Sequence, residues 1–247
     1  MSLSNPKAGK NPAKKRIQWS GSLAKWQYYD KEKGDPEKKY KVDMPEKFYI
    51  IALDQLNSVT GFNKKEQKGI FSNEVKDLNT ETLIVRMKGE KIAEGLWEDI
   101  KEHVTSSKVG GKFEKSIYAA LFIPKGKDVP PDLELINIRL SGSSLGPWFD
   151  AQIGDVANVI TLGANPEKQV SGTNEYYMPT VKLGAKRDDL TSLAIEMDKE
   201  LQEYFQSKGK PTGESEEQPE TPPPPTKEDE QWMSNAAPEE EDDDLPF

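Results

Sequence analysis

The side chains of this 247-residue sequence with the clearest chemical capacity are aromatic rings interleaved with cations. In Lys25-Trp26-Gln27-Tyr28-Tyr29, Trp26 and Tyr28 alternate and so share one face of an extended segment. Phe62 is followed by Lys64 and Lys65. Lys68 and Phe71 enclose Gly69-Ile70, Arg86 and Lys88 end an apolar run, and Lys112, Phe113 and Lys115 follow Gly110-Gly111. Rings of this kind stack on flat π systems while neighbouring cations track phosphates, the combination that single-stranded nucleic acids require. The same rings serve equally well as core, and Trp19, Trp97 and Trp148 are assigned there. The sharper expectation is that Trp26, Tyr28, Phe71 and Phe113 include at least one stacking ring, with Lys64, Lys65, Lys68, Arg86, Lys88, Lys112 and Lys115 as the phosphate track.

Catalytic chemistry finds little support. There is no cysteine and His103 is the single histidine, so thiolate sites, a Cys–His pair and a multi-histidine metal centre are excluded. Gly110-Gly111-Lys112 lacks the spacing and the hydroxyl of a phosphate-binding loop. Gly142-Ser143-Ser144-Leu145-Gly146 is not a nucleophile elbow. The acid pairs Glu98-Asp99 and Asp188-Asp189 read as helix faces and caps. The sequence therefore predicts a protein that is not an enzyme and uses no cofactor and no metal. No apolar run is long enough to span a membrane, and residues 1–16, basic but without an apolar stretch, are no secretory signal. A soluble cytoplasmic protein is expected.

A second chemical device lies at the other end. From Glu214 to Phe247 there are thirteen acids and one base, Lys227, a net charge of −12. The whole chain carries 34 bases and 43 acids, so residues 1–213 hold 33 bases and 30 acids, a net of +3. The acidity thus belongs to the tail, and the body is mildly basic, a balance compatible with a nucleic-acid partner. Low hydrophobicity and high charge leave too little burial in the tail to offset the entropy of ordering it, and Pro222-Pro223-Pro224-Pro225 favours an extended spacer. In Asp242-Asp243-Asp244-Leu245-Pro246-Phe247 the acids steer toward basic surfaces. Pro246 restricts the backbone, and Phe247, read as a free end, offers a ring together with a carboxylate.

Positioning these groups falls to a body from about 17 to 208. Strand character marks Phe48 to Leu53, Gly69 to Val75, Thr82 to Met87, Phe113 to Ile123 and Leu133 to Leu140. Val156 to Leu162 and Tyr176 to Leu183 are expected to form a hairpin around Asn165-Pro166. Helical spacing marks Gly95 to Ser106, a short segment at Pro147 to Ile153, and Asp188 to Gln206, where Leu190, Leu193, Met197, Leu201, Tyr204 and Phe205 trace one stripe behind a capping Asp189. Short strands with one helix among them predict a mainly β fold with some helix: an elaborated OB-fold-like Greek-key barrel with insertions. The expected organisation is a flexible basic arm (1–16), this barrel (17–208), a disordered linker rich in proline and glutamate (209–238) and an acidic protein-interaction tip (239–247).

The tip resembles the C-terminal tip of bacterial and phage single-stranded DNA-binding proteins, which end in aspartates, an apolar residue, proline and phenylalanine. The likeness is close over the last six residues and extends loosely to the whole plan; the body does not visibly match the bacterial domain, which points to a divergent phage or mobile-element member. The resemblance implies an OB barrel, single-stranded DNA as cargo, and docking of replication, recombination or repair proteins (polymerase, helicase, primase or recombinase) on Asp242, Asp243, Asp244, Leu245, Pro246 and Phe247. It leaves a homo-oligomer open. The competing reading is an adaptor or helicase-loading accessory that uses the same tip without touching DNA.

Overall fold

The computed structural model describes residues 11–36, 40–125, 131–153 and 158–208. Most of the expected basic arm, the linker 209–238 and the tip 239–247 lie outside the described residues. The described chain is mainly β. Eleven strands form one mixed sheet: β1 (Lys15–Ser20), β2 (Lys25–Tyr29), β3 (Lys41–Asp43), β4 (Phe48–Asn63), β5 (Lys68–Ser72), β6 (Leu83–Met87), β7 (Glu90–Gly95), β8 (Gly111–Ile123), β9 (Asp132–Ser141), β10 (Asn158–Ser171) and β11 (Asn174–Lys186). Three helices accompany them: α1 (Trp97–Thr105), α2 (Leu145–Asp150) and α3 (Asp188–Lys208).

The strand order is β3-β2-β1-β9-β8-β4-β5-β6-β7, and β10 pairs with both β4 and β11. Every ladder is antiparallel except β1 with β9. Two long strands hold the sheet together. β4 has 16 residues and spans about 50 Å. It pairs with β8 along most of that length; its other edge takes β10 at Phe48 to Ile51 and β5 at Thr60 to Asn63.

Side-chain parity sorts the two faces, and a bulge changes it. In β4, Ile50 and Ala52 enter the first core together with Ile17, Trp26, Ile138, Trp148 and Ile160. Ile51 and Leu53 point the other way, into the layer under α3. The register to β8 shifts between Ala52 and Asp54, so Leu53 is an extra residue and parity flips beyond it. Gln55 then lies on the first-core side, where its Oε1 accepts the Trp148 indole N–H at 3.1 Å, while Leu56 joins the α3 layer. Further along, Val59 belongs to a third core with Ile70, Leu83, Val85 and the α1 residues Trp97, Ile100 and Val104.

Leu190, Ala194, Leu201 and Tyr204 bury the inner side of α3 on Ile51, Leu53, Tyr118 and Leu135, with Met197 and Phe205 alongside. Leu193, expected in that stripe, is exposed; Ala194 takes the inward place instead. Asp189 pairs with the Arg187 guanidinium at 2.6 Å. The arm boundary also moves, because Lys15 and Arg16 belong to β1, whose Ile17 is fully buried. The last hairpin turns at Gly172 (φ +59°) and not at Asn165-Pro166, which sits at a register shift between Ala164 and Lys168. No helix among the described residues is long and apolar enough to cross a membrane.

Candidate nucleic-acid interface

Beyond the reach of α3, the face of the sheet that carries it continues over β4, β5, β6 and β8 with no helix above it among the described residues. Register brings one cross-strand row together there. Lys112 of β8 pairs with Thr60 of β4, Thr60 with Phe71 of β5, Phe71 with Arg86 of β6, and Arg86 with Lys91 of β7. Adjacent strands lie about 4.8 Å apart, so the row is about 19 Å long. Phe62, two residues along β4 and paired with Gly69, shares this face diagonally from Phe71. Neither Phe62 nor Phe71 joins any of the three cores, and both are half-buried. Ile84 shares the face on β6.

Local sequence explains how the cations are held. Lys88 (φ +50°) and Gly89 (φ +86°) form the two-residue β6–β7 turn, whose backbone twist suits a tight hairpin. The Arg86 guanidinium donates to the Gly89 carbonyl at 3.1 Å, which orients it along the face. At the start of β8 a Cβ on Gly61 would meet the Gly110 carbonyl oxygen at 2.3 Å. Glycine at both positions lets the chains approach, and Lys112 therefore opens β8 directly across from Thr60. Burial holds the Lys112 ammonium below the ordinary lysine range, and the positive charge of Lys64 adds to that. Two cations thus lie close enough to repel.

Next to this row lies a network of buried charge. The Arg139 guanidinium contacts Glu114 Oε1 at 2.8 Å and Glu74 Oε1 at 3.0 Å. Tyr118 Oη donates to Glu74 Oε2 at 2.9 Å and Ser116 Oγ to Glu74 Oε1 at 2.6 Å. Arg16 lies 3.7 Å from the shared Glu114. Burial and the Glu74 charge push the Tyr118 hydroxyl far above the ordinary phenol range, so it stays a donor. Two acids and two arginines balance, and the network anchors the end of the open face.

The structure separates the expected residues. Phe71, Arg86 and Lys112 come together in one row, with Lys64 and Lys65 in the adjoining β4–β5 turn and Lys88 at the β6–β7 tip. Five others fall elsewhere. Trp26 is 2% exposed, and its indole donates to the Gly163 carbonyl at 3.0 Å, so it offers no ring face to a base. Phe113 points to the opposite face and packs in the third core, 5.7 Å from the Trp97 ring. Lys115 shares that opposite face, with its ammonium 5.5 Å from the Phe149 ring centroid and 3.3 Å from Asn57 Oδ1. Lys68 is turned the same way and pairs with Glu66 at 2.6 Å. Tyr28 packs at the margin of the first core, with the Lys15 ammonium 5.5 Å from its ring centroid. Phe62 was legible only as a flank of the basic turn; its pairing with a glycine, which exposes the ring, is a property of register.

Among the described residues no group of three or more histidine, cysteine, aspartate or glutamate side chains is placed to hold a metal ion. The chain matches no family model, no curated protein and no solved structure.

Proposed function

We propose that this protein binds single-stranded DNA, without strong sequence preference, on the open sheet face around Phe71, and that it recruits replication, recombination or repair proteins through the acidic tip. The observation that carries the reading is the row Lys112–Thr60–Phe71–Arg86: a ring outside every core with a cation on either side. Phe71 and Phe62 offer π surfaces that any base can use, and Lys112, Arg86 and Lys64 take the phosphates. The tip, by its resemblance, adds the docking function, with Phe247 as the anchor and Asp242 to Asp244 as the steering charge.

An OB-type barrel belongs to the same reading. Support comes from contacts that draw β10 and β11 back toward β1 and β2. The Trp26 indole reaches Gly163 of β10, and the Tyr177 amide of β11 donates to the Gly21 carbonyl at 2.8 Å. The inner surface so enclosed is the first core.

The test is fluorescence anisotropy of labelled oligo-dT, run beside duplex DNA over a salt series. Intrinsic tryptophan quenching is the poorer probe, because Trp26, Trp97 and Trp148 are buried. Binding to oligo-dT that weakens steeply with salt supports the reading. No binding to oligo-dT at low salt overturns it in favour of the adaptor that uses the tip alone.

A further inference from the structure

On the same face of the sheet, far from Phe71, lies a second aromatic–cation cluster. Tyr29 ends β2 at a position two residues beyond Gln27, and Gln27 pairs with Gln18 of β1, which pairs with Arg139 of β9. Parity along these pairings puts Tyr29, Gln18, Arg139 and Lys112 on one face. Tyr29 is 37% exposed. The Lys31 ammonium lies 6.0 Å from its ring centroid, and the Tyr40 ring meets it edge-on at 5.8 Å. Tyr29 also lines an open depression of about 460 Å³ at the strand end, with Lys14, Lys31 and Lys33 and, from the opposite face of the sheet, Tyr28, Lys15 and Glu134. Of the acids in that lining, Asp30 accepts the backbone amides of Glu32 and Lys33, and Glu134 pairs with Lys15 at 2.7 Å. The lining holds four lysines and three acids, and one of the lysines, Lys15, is paired with Glu134.

We infer that Tyr29 is a second stacking station for single-stranded DNA, so that the strand crosses the sheet obliquely from Phe71 to Tyr29. The inference rests on the reading that Phe71 marks the DNA face. Five inter-strand steps separate β5 from β2, and six residues along β8 separate the Lys112 and Tyr118 rows, so the stations lie about 30 Å apart over the surface. The path between them is continuous. It runs past Ser141 and exposed Gln18, above the buried network in which Arg139 and Arg16 are balanced by Glu74 and Glu114. α3 covers the neighbouring rows at Tyr118 and Leu135 and so borders the path on one side. A tyrosine with a lysine over one side of its ring, exposed at the end of a strand, has the chemistry of a base platform beside a phosphate contact.

Oligonucleotide length separates the two stations. An oligo-dT of about 4 residues occupies one station and an oligo-dT of about 12 reaches both. Anisotropy competition with the full chain is run for wild type, Phe71→Ala, Tyr29→Ala and Tyr29→Phe, with melting curves as a control on folding. Tyr29→Ala should weaken the longer oligonucleotide by about 5- to 140-fold and leave the shorter one unchanged. Tyr29→Phe, which keeps the ring, should bind as wild type. Phe71→Ala should weaken both lengths. If Tyr29→Ala leaves the longer oligonucleotide unchanged while Phe71→Ala weakens it, the second station is overturned and the Phe71 face stands. If Phe71→Ala changes neither length, the face itself is wrong and the oblique path falls with it.

Discussion

Phe71 and Phe113 lie one register step apart on opposite faces of the same sheet, so truncating each should give opposite signatures. Phe71 pairs with Thr60 and sits outside all three cores. Phe71→Ala removes a half-buried ring and should cost about 1 kcal/mol of folding stability. As a base platform it should also cost about 1–3 kcal/mol in oligo-dT affinity, a rise in Kd of about 5- to 140-fold. Phe113 pairs with Val59, packs on the third core and meets the Trp97 ring at 5.7 Å. Full burial would make its truncation cost about 3–5 kcal/mol, and its partial burial brings that to about 2 kcal/mol, with no change in DNA affinity. Urea unfolding and anisotropy on the same preparations measure both quantities. Equal affinity losses for the two variants, or none for Phe71→Ala, would refute the assignment of the faces.

Arg139→Ala leaves Glu114 and Glu74 buried without their cation and should destabilise the fold by about 3–5 kcal/mol, read by urea unfolding; a loss under 1 kcal/mol would mean that water takes over the role of the guanidinium. Lys112 carries a pKa depressed by burial and then by Lys64. A bound phosphate favours its charged form, so oligo-dT affinity should be full below the depressed pKa and fall as pH rises through it, before ordinary lysines near ~10.4 titrate. Lys112→Arg should abolish that early fall, and a pH profile identical to wild type would exclude Lys112 from the contact. Deleting residues 239–247 removes six of the tail's thirteen acids. If the tail competes with DNA for the basic face, the deletion should tighten oligo-dT binding most at low salt; equal affinities with and without it would exclude that competition.

Much of the framework was legible because its strands are apolar and β-branched. Thr82 to Met87 and Leu133 to Leu140 fall within a residue or two of β6 and β9. Glu90-Lys91-Ile92-Ala93-Glu94-Gly95 was not, since an edge hairpin strand with one covered face carries few large apolar residues. Asn165-Pro166 has strong turn chemistry, yet the hairpin absorbs it as an irregularity and continues to Gly172. The site was half legible for a deeper reason. Residue types picked out Phe71, Arg86 and Lys112, which register brings into one row, but Trp26 and Phe113 have the same composition and the same company. What separates them is which face is covered. Central strands such as β4 and β8 pack on both faces, and an extra residue at Leu53 reverses parity in mid-strand. Nothing in the sequence marks that reversal.

The length of β4 and β8 has a consequence for how a flexible polymer meets this surface. Both strands run from the first core to the third and are laddered to each other for most of their course, interrupted by the one extra residue at Leu53. They form a common beam along the sheet. On the proposed reading, the spacing between the contact points would be set before any DNA arrives, and the nucleic acid would adapt to it, adopting the pitch of a fixed ruler. On that reading, tight coating of a long strand would come from many identical rulers laid end to end, with the strand between neighbouring molecules taking up the slack.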